Sequence, residues 1–439
     1  MVIQFWDLYC NVKIDDGSLQ MGIFKRGLLL ILFILVMLSG CSNSVVENAD
    51  QYVSSIEQIT LPDGVRVIGL GEATHGNIEF QQLKKDVFEA LITNEDVYVF
   101  VLEGDFGSSQ IINHFILTGE GTAKDAVNAL DYPIYRTEQM IKFVQWMHDY
   151  NRKANADKKI TFYGNDMQRY DYSKEGLLDY YEVVNPEAAN ALTEQLNYVS
   201  NDTMRTLTAA QLQEVNDIMD NIKLDLQSNK EIYVQQSSPD DFAIALQYME
   251  IIRQRTELLL TDDKHYARVR DQYLADNLQW IIDYEETRGH DKILISAHNG
   301  HIEKTSASLA GYKSMGNYLA ERYGEEYFAI GTEFMDNTFQ ALNGGSDERE
   351  QFTVKHHSQL TDAFGDIESN EFYVDFKTAS QSAELSKIIH SEQRMGNIGD
   401  DFRAWYKIAK MFYTIKMKPV DAYDGLIIVK ESKPTTVLE

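Results

Sequence analysis

Cysteine is almost missing: the 439 residues contain two, Cys10 and Cys41, both near the N-terminus. The body of the chain therefore has neither a disulfide framework nor a thiol nucleophile. Positive charge is scarce as well. Forty Lys and Arg stand against 68 Asp and Glu, a net charge of −28, which excludes a nucleic-acid backbone as partner. No contiguous Lys/Arg block forms a polybasic membrane patch. No serine sits in a G-x-S-x-G elbow, so an α/β-hydrolase nucleophile is unsupported. The glycines around Gly119 to Gly121 are followed by no G-K-[ST], which excludes a phosphate loop. No low-complexity tract and no repeat of 20–50 residues occurs. What is present is core material: 44% hydrophobic and 11% aromatic residues with only six prolines, enough for one large domain or two ordinary ones.

The N-terminus is a targeting segment. Residues 21–44 read "MGIFKRGLLLILFILVMLSGCSNS". Lys25 and Arg26 precede the apolar run "GLLLILFILVML", and small residues then lead to Cys41. This is the layout of a secretory signal, and the run is short for a membrane span, which needs roughly 20 residues. "LSGC" resembles the lipobox of bacterial lipoproteins. That resemblance implies a signal peptide over 21–40, cleavage before Cys41, a lipid such as palmitate on Cys41, and a body on the outer face of the cell membrane. A tether follows over 41–60. Residues 1–20 do not belong to such a signal and read as an over-extended start, with Met21 as initiator.

Beyond the tether, apolar β-type runs end in polar or glycine-rich turns. "VRVIGL" leads into "GEATHG", "DVYVFVLE" into "GDFG", "KKITFYG" into "NDMQ" and "HDKILISA" into "HNGH", with "EEYFAIGTEF" soon after. Helical patterns separate them, at 78–92 and at 136–153. Alternating strand and helix predicts an α/β domain with a central, mostly parallel sheet flanked by helices, over 61–170 and 291–439. Between 171 and 290 the β pattern fades. "LTAAQLQEVNDIMDNIKLDLQ" and "FAIALQYMEIIRQRTELLL" place apolar residues at i, i+3, i+4 and i+7, the mark of amphipathic helices. This segment reads as a large all-helical insertion forming one side of the active-site cleft.

In an open α/β sheet, ligands bind beyond the carboxyl ends of the strands. The chemistry-bearing residues fall there: Glu72 and His75 after the first strand, Glu103 at the second, Asp166 at the third, His298 and His301 at the fourth, Glu333 near the fifth. A single such residue is more often a capping or packing group; five strand ends carrying them together point to a site. An imidazole beside a carboxylate suits general base catalysis, because its pKa lies near neutrality and the acid fixes its tautomer. With no serine or cysteine nucleophile, water is the natural attacking group, activated by His75.

"GLGEATHGNIEF" resembles the signature of the erythromycin esterase family, and the same order continues in "FVLEGDFGSSQIINHFILTG", "YRTEQMIKFVQWMHDYN", "FYGNDMQ", "ILISAHNGHIEK" and the closing "DAYDGLIIVKESKPTT". The resemblance spans about residues 65–435. It implies a metal-independent hydrolase that opens a macrolide lactone, with no cofactor and a small-molecule ester as substrate. His75 is then the general base, Glu72 and Glu103 active-site acids, and His298 a second imidazole that polarises the carbonyl or protonates the leaving alcohol. Lys84, Asp166, Asn299, His301 and Glu333 are carried over as substrate-binding neighbours. Two departures stand out. Asn77-Ile78-Glu79 replaces an x-R-E stretch, and Lys84 occupies an arginine position without arginine's bidentate fork. A lipid-anchored enzyme also faces away from the ribosome, so surface hydrolysis of a different ester stands beside antibiotic resistance.

Two alternatives stay open. The same His/Glu cluster suits a divalent metal in a metal-dependent hydrolase, although Glu72-x-x-His75 is not an H-E-x-x-H helix. A non-catalytic lipoprotein that captures a small molecule is the other, against which the concentration of ionisable residues speaks. "KHH" at 355–357 reads as a solvated loop, and "GDIESNEFYVDF" as a surface turn plus a strand.

Overall fold

The computed structural model describes residues 45–307, 311–346 and 348–438, within the unit Val45–Glu439. The segment read as a signal peptide, its apolar run and Cys41 lie outside the described residues. Among the described residues no helix is long and apolar enough to cross a membrane.

Four of the apolar runs become strands buried along nearly their whole length: β1 (Val67–Glu72), β2 (Val99–Asp105), β3 (Thr161–Asp166) and β4 (Ile293–His298). Burial on both faces is why they lack a polar alternation. Successive side chains still point to opposite faces. Ile68, Leu70, Phe100, Leu102 and Leu294 join one core cluster, while Val67, Val99, Val101, Ile293 and Ile295 join another. The first lies under α1 (Ile78–Glu95), α2 (Phe106–Thr118) and, beyond the short α3 (Ala123–Asn128), α4 (Glu138–Asn151). There Phe88, Phe100 and Phe143 meet ring to ring.

Six helices occupy the stretch in which the β pattern fades: α5 (Asp171–Val184), α6 (Pro186–Gln195), α7 (Ala209–Ser228), α8 (Lys230–Gln236), α9 (Pro239–Leu260) and α10 (Asp263–Thr287). α5 to α9 build a third cluster of their own around Leu177, Tyr181, Val215, Met219, Phe242 and Met249. α10 instead lays Leu274, Leu278 and Ile281 onto the second face of the sheet.

The main sheet runs β3-β2-β4-β1-β5-β11-β7, with β6 and β9 attached to β5. β5 (Tyr327–Asn343), β6 (Arg349–Lys355), β7 (Glu371–Asp375), β9 (Asp401–Phe402) and β11 (Gly425–Ser432) complete it, while β8 (Gln393–Gly396) and β10 (Thr414–Met417) form a separate antiparallel pair. β1 to β5 and β11 are parallel to their neighbours in that order; β6 and β7 are antiparallel. A mostly parallel sheet flanked by helices is thus the architecture. β5 continues nine residues past the apolar run read as the fifth strand, ending at Asn343 rather than at 334. Glu333 therefore lies in mid-strand, opposite Ile428 of β11, and not at a strand end. The "KHH" reading also needs correction. His356 is fully buried and donates from Nε2 to the Arg394 carbonyl, whereas Lys355 and His357 are exposed.

Candidate active site

The register of the sheet assembles the site. β1 and β4 are adjacent and in parallel register, so Glu72 stands directly opposite His298; Asp105 of β2 likewise faces Asp166 of β3. After Glu72 the chain turns sharply under the extension of β5. The Gly76 carbonyl accepts from Gln340 and Thr435 N–H groups, and a Cβ on Gly76 would lie 1.9 Å from the Gln340 carbonyl oxygen. Glycine is required there by close backbone approach. Ala73 N–H donates to Thr332 Oγ1 at 2.8 Å, and the Ala73 carbonyl accepts from Ile398. The turn is thereby fixed on both sides.

His75 leaves this turn with its Nδ1 2.8 Å from Glu72 Oε2. The second Glu72 oxygen forms an ion pair with Lys84. With the carboxylate as acceptor, the proton sits on Nδ1 and the lone pair on Nε2, and no described residue bonds that Nε2. Burial holds the His75 pKa below its usual value, against the pull of Glu103 and Asp400. Lys84 is 1% exposed, with its ammonium drawn down to about 7 by burial, against Glu103. It sits behind Glu72, away from the cleft.

The ring of His298 is 5.2 Å from that of His75. Both its nitrogens are committed to main chain: Nε2 donates to the Ile398 carbonyl at 3.1 Å, and Nδ1 accepts from Gly300 N–H at 3.2 Å. Burial and the neighbouring His75 push its pKa down to about 3, so the imidazole is neutral. Asn299 is a clamp between strands, donating to the Thr332 carbonyl at 2.8 Å and accepting from Thr332 N–H at 3.1 Å.

A charged cluster lies beside the two rings. Glu103 accepts from His298 N–H at 2.8 Å and from Arg270 Nη2 at 2.8 Å, and its Oε1 is 3.3 Å from His301 Nε2. Arg270 also reaches Asp166 at 2.5 Å. His301 Nδ1 is 2.7 Å from Asp271 Oδ1. Burial works against the charge on His301, but Asp271 and Glu103 outweigh it and hold it up at about 10. Burial likewise opposes ionisation of Glu103, and His301, Arg270 and His75 reverse that and keep it well below the usual carboxylate range.

Glu333 is fully buried behind this layer and accepts N–H bonds from Phe334 at 2.9 Å and Gly396 at 2.8 Å. Burial raises it to about 8. It faces protein on all sides and supports the Gly396 turn. A cavity of about 120 Å³ opens in front of His298 and His301, lined further by Gly300, Tyr312, Asn397 and Met417.

The structure thus brings His75, Glu72, His298, Glu103, Asp166 and His301 to one end of the sheet, and leaves Lys84, Asn299 and Glu333 as supports around them. Arg270 and Asp271 were missed by sequence reasoning. They sit in α10, inside a stretch read as amphipathic packing, and the available signal was a charged pair on its buried face. The carboxylates at this end of the sheet are engaged by protein groups. Glu72 is taken by His75 and Lys84, Glu103 by Arg270 and a backbone N–H, and among the described residues no three His, Cys, Asp or Glu side chains converge as metal ligands.

The erythromycin esterase family model matches residues 92–432. The chain is 26% identical over 400 residues to the erythromycin esterase type II of Escherichia coli, covering 85% of this chain and 91% of that one. Its fold is similar to that of a Bacillus cereus protein (TM-score 0.74, 22% identity, 89% of this chain and 96% of that one). It is also similar to an open conformation of a mutant of the erythromycin esterase EreC (TM-score 0.64, 18% identity, 86% and 93%). The family match covers most of the chain, and both curated relative and fold agree with it: this chain belongs to the erythromycin esterase family.

Proposed function

We propose that this protein hydrolyses a carboxylic ester by direct attack of water, with His75 as general base and without a metal. The observation that carries the reading is the His75 geometry: Nδ1 engaged by Glu72, Nε2 without a partner among the described residues, just past the carboxyl end of β1. In the proposed step, Nε2 takes a proton from water as its oxygen bonds to the ester carbonyl carbon. The tetrahedral oxyanion then collapses, the C–O bond breaks, and the imidazolium returns the proton to the leaving alkoxide. Acid and alcohol are the products. A well-placed base of this kind contributes about 10² to 10⁴ in rate.

Glu72 holds the ring tautomer and steadies the imidazolium, and Lys84 holds Glu72. The positive pair Arg270 and His301 supplies potential for the developing oxyanion. His298, with both nitrogens bound, is better suited to shape and neutrality than to proton transfer. The cavity of about 120 Å³ is small beside the roughly 300–1,000 Å³ of drug-sized sites. It is lined by His298 and His301 but not by His75, so it accommodates a group beside the scissile ester, with the remainder of a macrolide or other large substrate lying on the outer surface. We place the enzyme outside the cell on a lipid carried by Cys41, which labelled-palmitate incorporation lost in Cys41→Ser would support.

Erythromycin and a panel of simple esters, assayed with and without EDTA, test the chemistry. EDTA-resistant turnover supports it. Turnover abolished by EDTA and restored by a divalent ion contradicts it, and tight retention of a ligand without turnover would make the protein a binder.

A further inference from the structure

We propose that the segment Phe402–Val420 is a docking surface for an anionic phospholipid bilayer. Of the ten large hydrophobic side chains exposed among the described residues, four fall within eight positions: Trp405 (47% exposed), Ile408 (80%), Met411 (57%) and Phe412 (40%). They are held as a raised unit rather than as loose ends. Trp405 and Phe412 meet edge to face at 4.8 Å, Tyr406 stacks on Phe412 at 5.7 Å, and Tyr406 is anchored on Phe402 at 5.3 Å. Phe402 in turn is buried against Phe339 and Phe352.

Charge identifies the occupant. In a chain of net charge −28, residues 402–420 contain five basic residues, Arg403, Lys407, Lys410, Lys416 and Lys418, and no Asp or Glu. Lys416 is spent on Glu392 at 2.5 Å, and Lys418 lies 3.8 Å from Asp421. Arg403, Lys407 and Lys410 have no carboxylate partner among the described residues; Lys407 lies over the Phe352 ring at 5.5 Å and Lys410 donates to the His357 carbonyl. The basic residues are separated along the chain, so they form no Lys/Arg block, yet two short turns, Ala404–Ile408 and Lys410–Phe412, bring Lys407 and Lys410 to the aromatic unit, with Arg403 just before the first turn. Exposed Trp and aliphatic groups beside cations that no carboxylate neutralises among the described residues match an interface that is apolar below and anionic above. A neutral or cationic protein partner would not use those cations, and an isologous contact between two copies of the patch would set the same cations against one another.

The placement has a consequence for the site. The segment begins just after Ile398, whose carbonyl holds His298, and contains Ile415 and Met417, which line the cavity. Docking would bring the cavity mouth toward the bilayer surface, where lipophilic esters concentrate.

The test uses the full chain reconstituted with vesicles of brominated phosphatidylglycerol or brominated phosphatidylcholine, and reads tryptophan fluorescence. The chain has four tryptophans, so the difference between the wild-type chain and Trp405→Phe isolates this site from any insertion by the leader. A Trp405 component quenched by the anionic vesicles, relieved by high salt, and weakened about fivefold for each of Arg403→Gln, Lys407→Gln and Lys410→Gln is expected. Turnover of a water-soluble ester should be unchanged in these variants. No Trp405-dependent quenching overturns the proposal. Equal, salt-insensitive quenching by phosphatidylcholine also overturns it, as does vesicle-free self-association abolished by Ile408→Asp.

Discussion

At the scale of single residues, the site is a set of buried charges arranged so that one nitrogen stays free. Glu72 and Lys84 fix His75 from behind, and Glu103, Arg270 and His301 balance one another beside it. The groups facing His75 are Glu72, His298, Glu103, Asp400, His301 and Arg270, and their sum with burial leaves its pKa below the ordinary 6.5. Protonated His75 cannot accept a proton, so kcat/KM should rise with pH along a single limb whose midpoint lies below 6.5 and level off toward neutrality. A midpoint above 7 in a pH–rate profile would disagree. Removing Lys84 tests the support. Lys84→Met leaves a buried carboxylate without its cation, for which the cost is about 3–5 kcal/mol. Urea unfolding should show a loss of that order, and Glu72→Gln combined with Lys84→Met should recover part of it.

At the scale of elements, strand ends were legible because parallel strands buried on both faces read as unbroken apolar runs that stop abruptly. Glu72, Glu103, Asp166 and His298 could be placed for that reason. Glu333 could not, because β5 runs on to Asn343 through residues that pair with β6 on one side and β11 on the other. The C-terminal strands β6 to β10 are short, antiparallel or mixed with turns, and their apolar residues carry no distinctive period. Arg270 and Asp271 were hidden differently: nothing local marks a helix residue as facing a site formed by strands. Gly76→Ala meets the Gln340 carbonyl and should lower stability by about 1–3 kcal/mol and reduce kcat, as thermal unfolding and kinetics would show. Arg270→Ala strips Glu103 and Asp166 of their shared cation and should cost about 3–5 kcal/mol, whereas Arg270→Lys should recover some of the stability but not the bidentate geometry.

At the scale of the whole molecule, the same network sets the pH range of stability. His298 binds no proton in the folded state until about pH 3, whereas its ordinary value is 6.5. Between those values the unfolded chain takes up a proton that the folded one does not, so acidification destabilises. Glu103, held low, adds stability above its usual 4.5 that is lost as pH falls through its folded pKa. His301 acts in the other direction: its contribution is full below 6.5 and disappears as pH rises toward about 10. Lys84, drawn down to about 7, opposes His301 above neutrality, and Glu333, raised to about 8, opposes His298 above 4.5. The unopposed change is therefore acidic: unfolding free energy should fall steeply as pH drops from 4.5 to 3, and a flat profile over that range would contradict these assignments. The helical layer of α5 to α9 has its own core and meets the site through its neighbour α10, whose Arg270 links it to β2 and β3. Fold and site were thus readable where chemistry coincides with strand ends, and not where a helix supplies the counter-charge.

The central claim is that His75 activates water. The direct test is steady-state hydrolysis of an ester that the wild-type protein turns over, compared with His75→Ala whose circular dichroism and thermal unfolding match wild type. The expected result is a fall in kcat of about 10²-fold or more with KM little changed. A folded His75→Ala protein that retains full kcat would contradict the account.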